Sequence, residues 1–121
     1  MASFISVIKI FNGASMLQAA AVSEVVDLSR YNCEGFFSMQ IAIVGVGNVT
    51  VIWAASNDGV NYITPSGTSA LFTAFAATSG ESSNGKSIAS FDPLLAKYLK
   101  FTATEQGAGA ITSINCHLAI Q

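Results

Sequence analysis

The sequence predicts an all-β chain: an antiparallel β-sandwich, jelly-roll-like, with eight or nine strands. Three observations lead there. Short runs of alternating apolar and polar residues recur along the chain, turn residues separate them at near-regular intervals, and no stretch sustains the period of an amphipathic helix. The turn chemistry is clearest at Ser56-Asn57-Asp58-Gly59, set between two β-rich runs. Asn, Asp and Gly tolerate the positive φ values that tight hairpins require. At 121 residues the chain fits one domain, 1–121, and shows no internal repeat.

The elements follow in order. Ser3 to Phe11 alternates and reads as a first strand, with Asn12-Gly13 turning the chain. Met16, Leu17 and Ala20 fit a helical face, but Gly13, Ser15 and the β-rich Val22 to Leu28 favour extended chain, so Ala19 to Leu28 is the second strand. Phe36 to Val44 is the third, with Phe37, Met39, Ile41 and Ile43 on its core face. Gly45-Val46-Gly47-Asn48 then turns into a fourth strand, Val49 to Ser56. With Val60 to Ile63 beyond the Asn-Asp-Gly turn, this makes a meander of three strands ending at Pro65.

Pro65-Ser66-Gly67-Thr68 breaks the chain before Ala70 to Ala77, a further strand. Thr78 to Ser87 has no large apolar residue and reads as a solvent-exposed loop, the softest part of the molecule. Ile88 to Phe91 is a short strand, and Asp92-Pro93-Leu94-Leu95-Ala96 a corner or single helical turn capped by Asp92. Lys97 to Glu105, a turn at Gln106 to Gly109, and Ala110 to Ile120 form a C-terminal hairpin. The expected core is Phe37, Met39, Ile41, Val51, Trp53, Leu99, Phe101, Ile114, Cys116 and Leu118.

Composition bears on function more than any motif does. Hydrophobic residues make up 51% of the chain and charged residues only 10%, against a usual charged share of about 25%. A dispersed monomer ordinarily carries a charged surface, so this one points to contact with sister subunits, the alternative being an exposed, neutral β fold in which small polar residues replace charge. Net charge is −2, and the cations Lys9, Arg30, Lys86, Lys97 and Lys100 are scattered, which argues against a nucleic-acid partner and a charge-driven membrane role. The N-terminal stretch lacks a signal-peptide layout and no run is long enough to span a bilayer as a helix. The expectation is a protein made in the cytoplasm without a signal peptide.

No residue set points to catalysis, a metal or a cofactor. His117 lies opposite Cys116 and Leu118 in strand parity, without a nucleophile motif beside it. One His and two distant Cys are too few for zinc. Cys33 and Cys116 can pair only if the fold joins them, and the parity of Cys116 favours a buried thiol. The carboxylates Glu24, Asp27, Glu34, Asp58, Glu81, Asp92 and Glu105 are spread out, with Asp58 in a turn, Asp92 as a cap and Glu105 at a strand end. Asp58 could still contribute to a calcium site, although a dedicated calcium-loop pattern is missing. Asn48-Val49-Thr50 is turn chemistry rather than a glycan acceptor. Trp53 alternates with Val51 and Ala55 and belongs to the core, while Tyr31, Tyr62 and Tyr98 suit sheet edges or interfaces.

One pattern is larger than any of these residues. A strand ends at Ser56-Asn57-Asp58-Gly59-Val60-Asn61, and a later strand enters through Phe91-Asp92-Pro93-Leu94-Leu95-Ala96-Lys97-Tyr98-Leu99-Lys100-Phe101 before a Gly-rich hairpin. From about Val49 onward, this resembles the small β-sandwich structural proteins of tailed bacteriophages. The resemblance implies a non-enzymatic virion component. A capsid decoration (cement) subunit comes first, and a head-fibre or tail-associated subunit next. Its partners would be sister subunits in a homo-oligomer such as a trimer, together with capsid or tail proteins. The alternative is a carbohydrate- or receptor-binding module of a tail or fibre. Contacts are expected in Ser3 to Leu17 and Thr78 to Ser87, so deleting the first dozen residues should abolish particle binding and leave a folded monomer.

Overall fold

The computed structural model describes residues 5–16, 20–31, 33–45, 47–93, 96–105 and 112–121. They form two antiparallel sheets that pack as a β-sandwich. The strands are β1 (Ser6–Met16), β2 (Ala20–Val22), β3 (Val26–Asp27), β4 (Phe37–Gly45), β5 (Asn48–Ser56), β6 (Phe72–Ala76), β7 (Lys86–Phe91), β8 (Tyr98–Glu105) and β9 (Thr112–Ile120). A 3-10 turn, Leu28–Arg30, follows β3. The four-stranded sheet runs β1-β9-β4-β7. The second runs β2-β8-β5-β6, with β3 also on β8. Counted as one interrupted strand, β2 and β3 make the total eight; counted apart, nine.

The pairing is nested. β5 pairs with β6, β4 with β7, β2 and β3 with β8, and β1 with β9, each pair enclosing the one before it in sequence. Among the described strands, only β5 and β6 are neighbours in both sequence and sheet. Two expected hairpins are therefore corrected. β4 and β5 lie in different sheets, so Gly45 to Asn48 carries the chain across the sandwich, and β8 and β9 likewise lie in different sheets. Their inward faces meet across the core, a contact that satisfies the same alternation a hairpin would.

Three further expectations change. Asn12-Gly13 does not turn the chain. β1 continues to Met16 through register shifts between Lys9 and Phe11 and between Asn12 and Ala14. Gly13 at φ 70 suits the second of these bulges, and the first lets the neighbours Ile10 and Phe11 both pack on the core. Val60 to Ile63 is not a strand: one bridge, Ala55 to Ile63, joins it to β5, and β6 begins only at Phe72. Ala19 to Leu28 is broken at 23–25, where the Ser23 hydroxyl accepts from the Phe101 N–H at 2.8 Å and replaces a ladder bond. The expected turns at Leu94-Leu95 and Gln106 to Gly109 lie outside the described residues.

All ten residues expected in the core are buried, joined by Phe11, Val26, Leu28, Ile43, Val49, Phe72, Phe75, Ala103 and Ile120 among others. Strict alternation does this: β8 buries Leu99, Phe101 and Ala103, while Tyr98, Lys100, Thr102 and Thr104 face out. At about 25 cal/mol per Å2 of apolar surface removed from water, such a core dominates the stability of a chain this size.

Candidate functional site

The outer face of the four-stranded sheet is built from residues that sequence periodicity sends away from the core. In cross-strand register, one row reads Val7, Ala119, Ser38, Ser90, and the next reads Lys9, His117, Gln40, Ile88. A third brings Asn12, Asn115 and Ala42 to Lys86. The centre mixes small residues, Ser38, Ala42 and Ala119, with Gln40, Asn115 and His117, and has no lysine, arginine or carboxylate. Around it stand exposed apolar side chains: Val7, Val44 and Ile88 on the strands, with Ile5 and Phe36 at one end. Ile5 and Phe36 border an open hollow of about 370 Å3 with Ser38, Ser90, Asp92 and Ala119. A solvated antiparallel sheet ordinarily presents a polar, charged exterior. This one presents two strand lysines, Lys9 and Lys86, at opposite margins.

The outer face of the other sheet is similar in tone. Val22, Thr102 and Ile52 lie in one row, and Thr104 and Thr50 in the next. Several charges that might have marked these surfaces are engaged locally. Lys100 sits 4.4 Å from the Tyr62 ring centroid and Lys97 5.2 Å from that of Tyr98. Arg30 lies 3.7 Å from Asp27, whose carboxyl is held below the ordinary range chiefly by the Ser29 hydroxyl.

Asp58 is the most constrained carboxylate. Its Oδ1 accepts from the Ser56 hydroxyl (2.8 Å) and from the N–H groups of Val60 and Asn61 (both 2.9 Å). Its Oδ2 accepts from the Asn61 side-chain amide at 2.9 Å. The backbone donors first, then the side-chain ones, push its pKa far down. These hydrogen bonds tie the carboxylate to its own loop. The neighbouring Asn57 accepts from the Lys97 N–H at 3.0 Å and ties the turn to the start of β8.

The other sequence candidates fall as follows. His117 is half-buried on the outer face between Lys9 and Gln40, so no carboxylate in register orients it as a base. Cys33 is exposed and Cys116 buried, both as free thiols, and burial raises the Cys116 pKa to about 12. Trp53 is 5% exposed, which withdraws the single tryptophan from any sugar platform. Asn48 opens β5 and Val49 is fully buried, so the Asn-Val-Thr triplet is strand, not an open loop. Glu105 ends β8 and is buried, a position its strand-end place in the sequence did not reveal. Among the described residues no group of His, Cys, Asp and Glu is placed to hold a metal ion, and no helix is long and apolar enough to cross a membrane.

Two open hollows share the end of the sandwich where Asn57 and Ala96 lie. One, of about 780 Å3, includes Cys33, Glu34 and Lys97; the other, of about 850 Å3, is formed by Ser56 to Ile63 with Pro65. Among known proteins, no family model matches the chain and no curated sequence matches it.

Proposed function

We propose that this protein is a non-enzymatic assembly subunit of a virion, most simply a capsid decoration protein, which acts by adhesion to sister subunits and particle proteins. The observation that carries the reading is the outer face of the four-stranded sheet, whose central residues Ser38, Gln40, Ala42, Asn115, His117 and Ala119 include no lysine, arginine or carboxylate and are rimmed by exposed Val7, Val44 and Ile88. Interface cores are depleted in charge in the same way. Weak contacts repeated over many copies on a lattice give strong attachment without covalent chemistry.

The nested strand order supports the jelly-roll form of the sandwich. Eight strands in two interleaved sheets, β1-β9-β4-β7 facing β2-β8-β5-β6, suit a double Greek key, an architecture common in viral capsid and lectin domains. The N-terminal contact expectation does change. β1 pairs with β9 along its length, through two register shifts, so deleting the first dozen residues would uncover β9 rather than leave a folded monomer. Surface substitutions are the proper probe.

The test is co-sedimentation of the purified chain with phage particles, read beside Val44→Lys, which alters an outward residue only. Stoichiometric binding by the parent chain and weakened binding by the variant are expected. A chain that stays monomeric, ignores particles and binds a glycan saturably would overturn the reading in favour of a receptor-binding module.

A further inference from the structure

Asn-Gly is the dipeptide most given to losing its side-chain amide, because glycine has no Cβ to shield its nitrogen and lets the backbone swing towards the asparagine side chain. The sequence holds it twice, at Asn12-Gly13 and Asn84-Gly85, with the slower relative Asp58-Gly59 between them. The fold treats the three differently. Two are locked. Gly85 is buried and its N–H donates to Ser79 O at 2.8 Å, while Asn84 Oδ1 accepts from the Lys86 N–H at 3.2 Å. The Gly59 N–H donates to Ser56 Oγ at 3.0 Å, and the Asp58 carboxylate before it is held by four donors. In both, the attacking nitrogen and the group it would attack are fixed by hydrogen bonds.

Asn12-Gly13 lies on β1, an edge strand. Phe36 and Gln121 exchange both backbone bonds, and β4 and β9 stay in step from there, so the odd residues of β9 turn their backbone groups towards β4. Asn115 is one of them. Asn12 faces Asn115 and therefore receives no ladder bond from it, and the register then passes to Ala14 with no partner for Gly13. The two residues sit in the bulge between ladder positions at Phe11 and Ala14. Both are exposed, and Gly13 at φ 70 has no atom beyond its chain neighbours within 4 Å of where a Cβ would stand. Asn12 also borders an open hollow of about 480 Å3 with Lys9 and Glu24.

We infer that Asn12 is a site of spontaneous deamidation in the folded protein, with water as the only co-reactant. The Gly13 nitrogen gives its proton to solvent and attacks Asn12 Cγ. The N–Cγ bond forms, the Cγ–Nδ2 bond breaks, and ammonia leaves with a proton returned from solvent. Water then opens the succinimide ring at either carbonyl, which gives aspartate or, where the chain is passed to Cγ, isoaspartate. Either product puts a carboxylate in the row Asn12, Asn115, Ala42, which has none. On the assembly reading, on which this consequence alone rests, an aged subunit adheres less well through that face.

The test is peptide mass spectrometry on the full chain held folded in mildly alkaline buffer, beside a parallel sample in guanidinium chloride. The expected result in the folded chain is a gain of about one dalton at Asn12, with isoaspartate, roughly tenfold or more ahead of Asn84, which must wait for its loop to open. In guanidinium the two should react alike. Asn84 keeping pace with Asn12 in the folded chain, or Asn12 staying intact there while it reacts in guanidinium, overturns the site. Asn12→Asp supplies the carboxylate without lengthening the chain and should weaken co-sedimentation with particles. Unchanged binding by that variant overturns the consequence for adhesion and leaves the modification standing, whereas a parent chain that ignores particles overturns the assembly reading alone.

Discussion

The loops at 56–62 and 77–85 draw on the same few residue types, Ser, Asn, Gly and an acid, yet they are held by opposite means. The first hangs from one carboxylate: Asp58 gathers four donors from Ser56, Val60 and Asn61. The second hangs from the backbone. Gly85 donates to Ser79 O and its own carbonyl accepts from Ile43, while Ser83 donates to Gly80 O. Among the described residues no hydrogen bond of the second loop uses a carboxylate, but two of its glycines are sterically obligatory. A Cβ on Gly85 would lie 2.7 Å from Ile43 O, and one on Gly80 would strike Lys86 O. So one polar loop is a chemical clasp and the other a steric one, and different perturbations should open them.

The steric clasp should show the larger effect. Gly85→Ala, at φ +75 and against backbone, should cost about 3 kcal/mol from left-handed strain and overpacking together, read as a lower urea midpoint at unchanged slope. Asp58→Ala should destabilise less, since the loop's donors are exposed and water can replace the carboxylate. It should also speed amide exchange at Val60 and Asn61 without touching Gly85. An equal effect on both loops would mean that they are not independent.

Acid separates the two clasps further. Because the folded pKa of Asp58 is depressed below its ordinary 3.8, its contribution is complete above that value and fades as pH falls through and below it. The parent chain should therefore lose stability relative to Asp58→Asn as pH falls through the carboxylate range in thermal melts. The Gly85→Ala penalty should persist at acid pH. The smallest effect is expected at Ser83, which sits at φ 53. Ser83→Gly should add about 0.5 kcal/mol, relief of left-handed strain outweighing the added chain entropy.

How legible was this molecule in its sequence? The core was legible because alternation is local: Phe37, Met39, Ile41 and Leu99, Phe101 follow from period two alone. Which strands pair was not. Gly45 to Asn48 looks the same whether the chain reverses within a sheet or crosses between sheets, since both need glycine and neither leaves a mark on residues next to it. Gly13 had the same ambiguity between turn and bulge. The outer face was visible only as a shortage of charge. That Lys9, His117, Gln40 and Ile88 form one row depends on register across four strands, and the exposure of the β7 edge depends on topology. Asp58 was readable as turn chemistry, but its count of donors needed coordinates.

The place of β9 in the four-stranded sheet has a consequence for how the protein comes into being. β9 is synthesised after β1 to β8, yet it lies between β1 and β4, and among the described strands β1 has no other partner in that sheet. β1 must therefore wait, unsatisfied, until the ribosome has delivered β9. Closing so long a loop before any reward makes folding slow and leaves an exposed apolar strand in the meantime. A nascent chain halted before residue 112 should accordingly be a client for chaperones, whereas the innermost pair, β5 with β6, can already have formed.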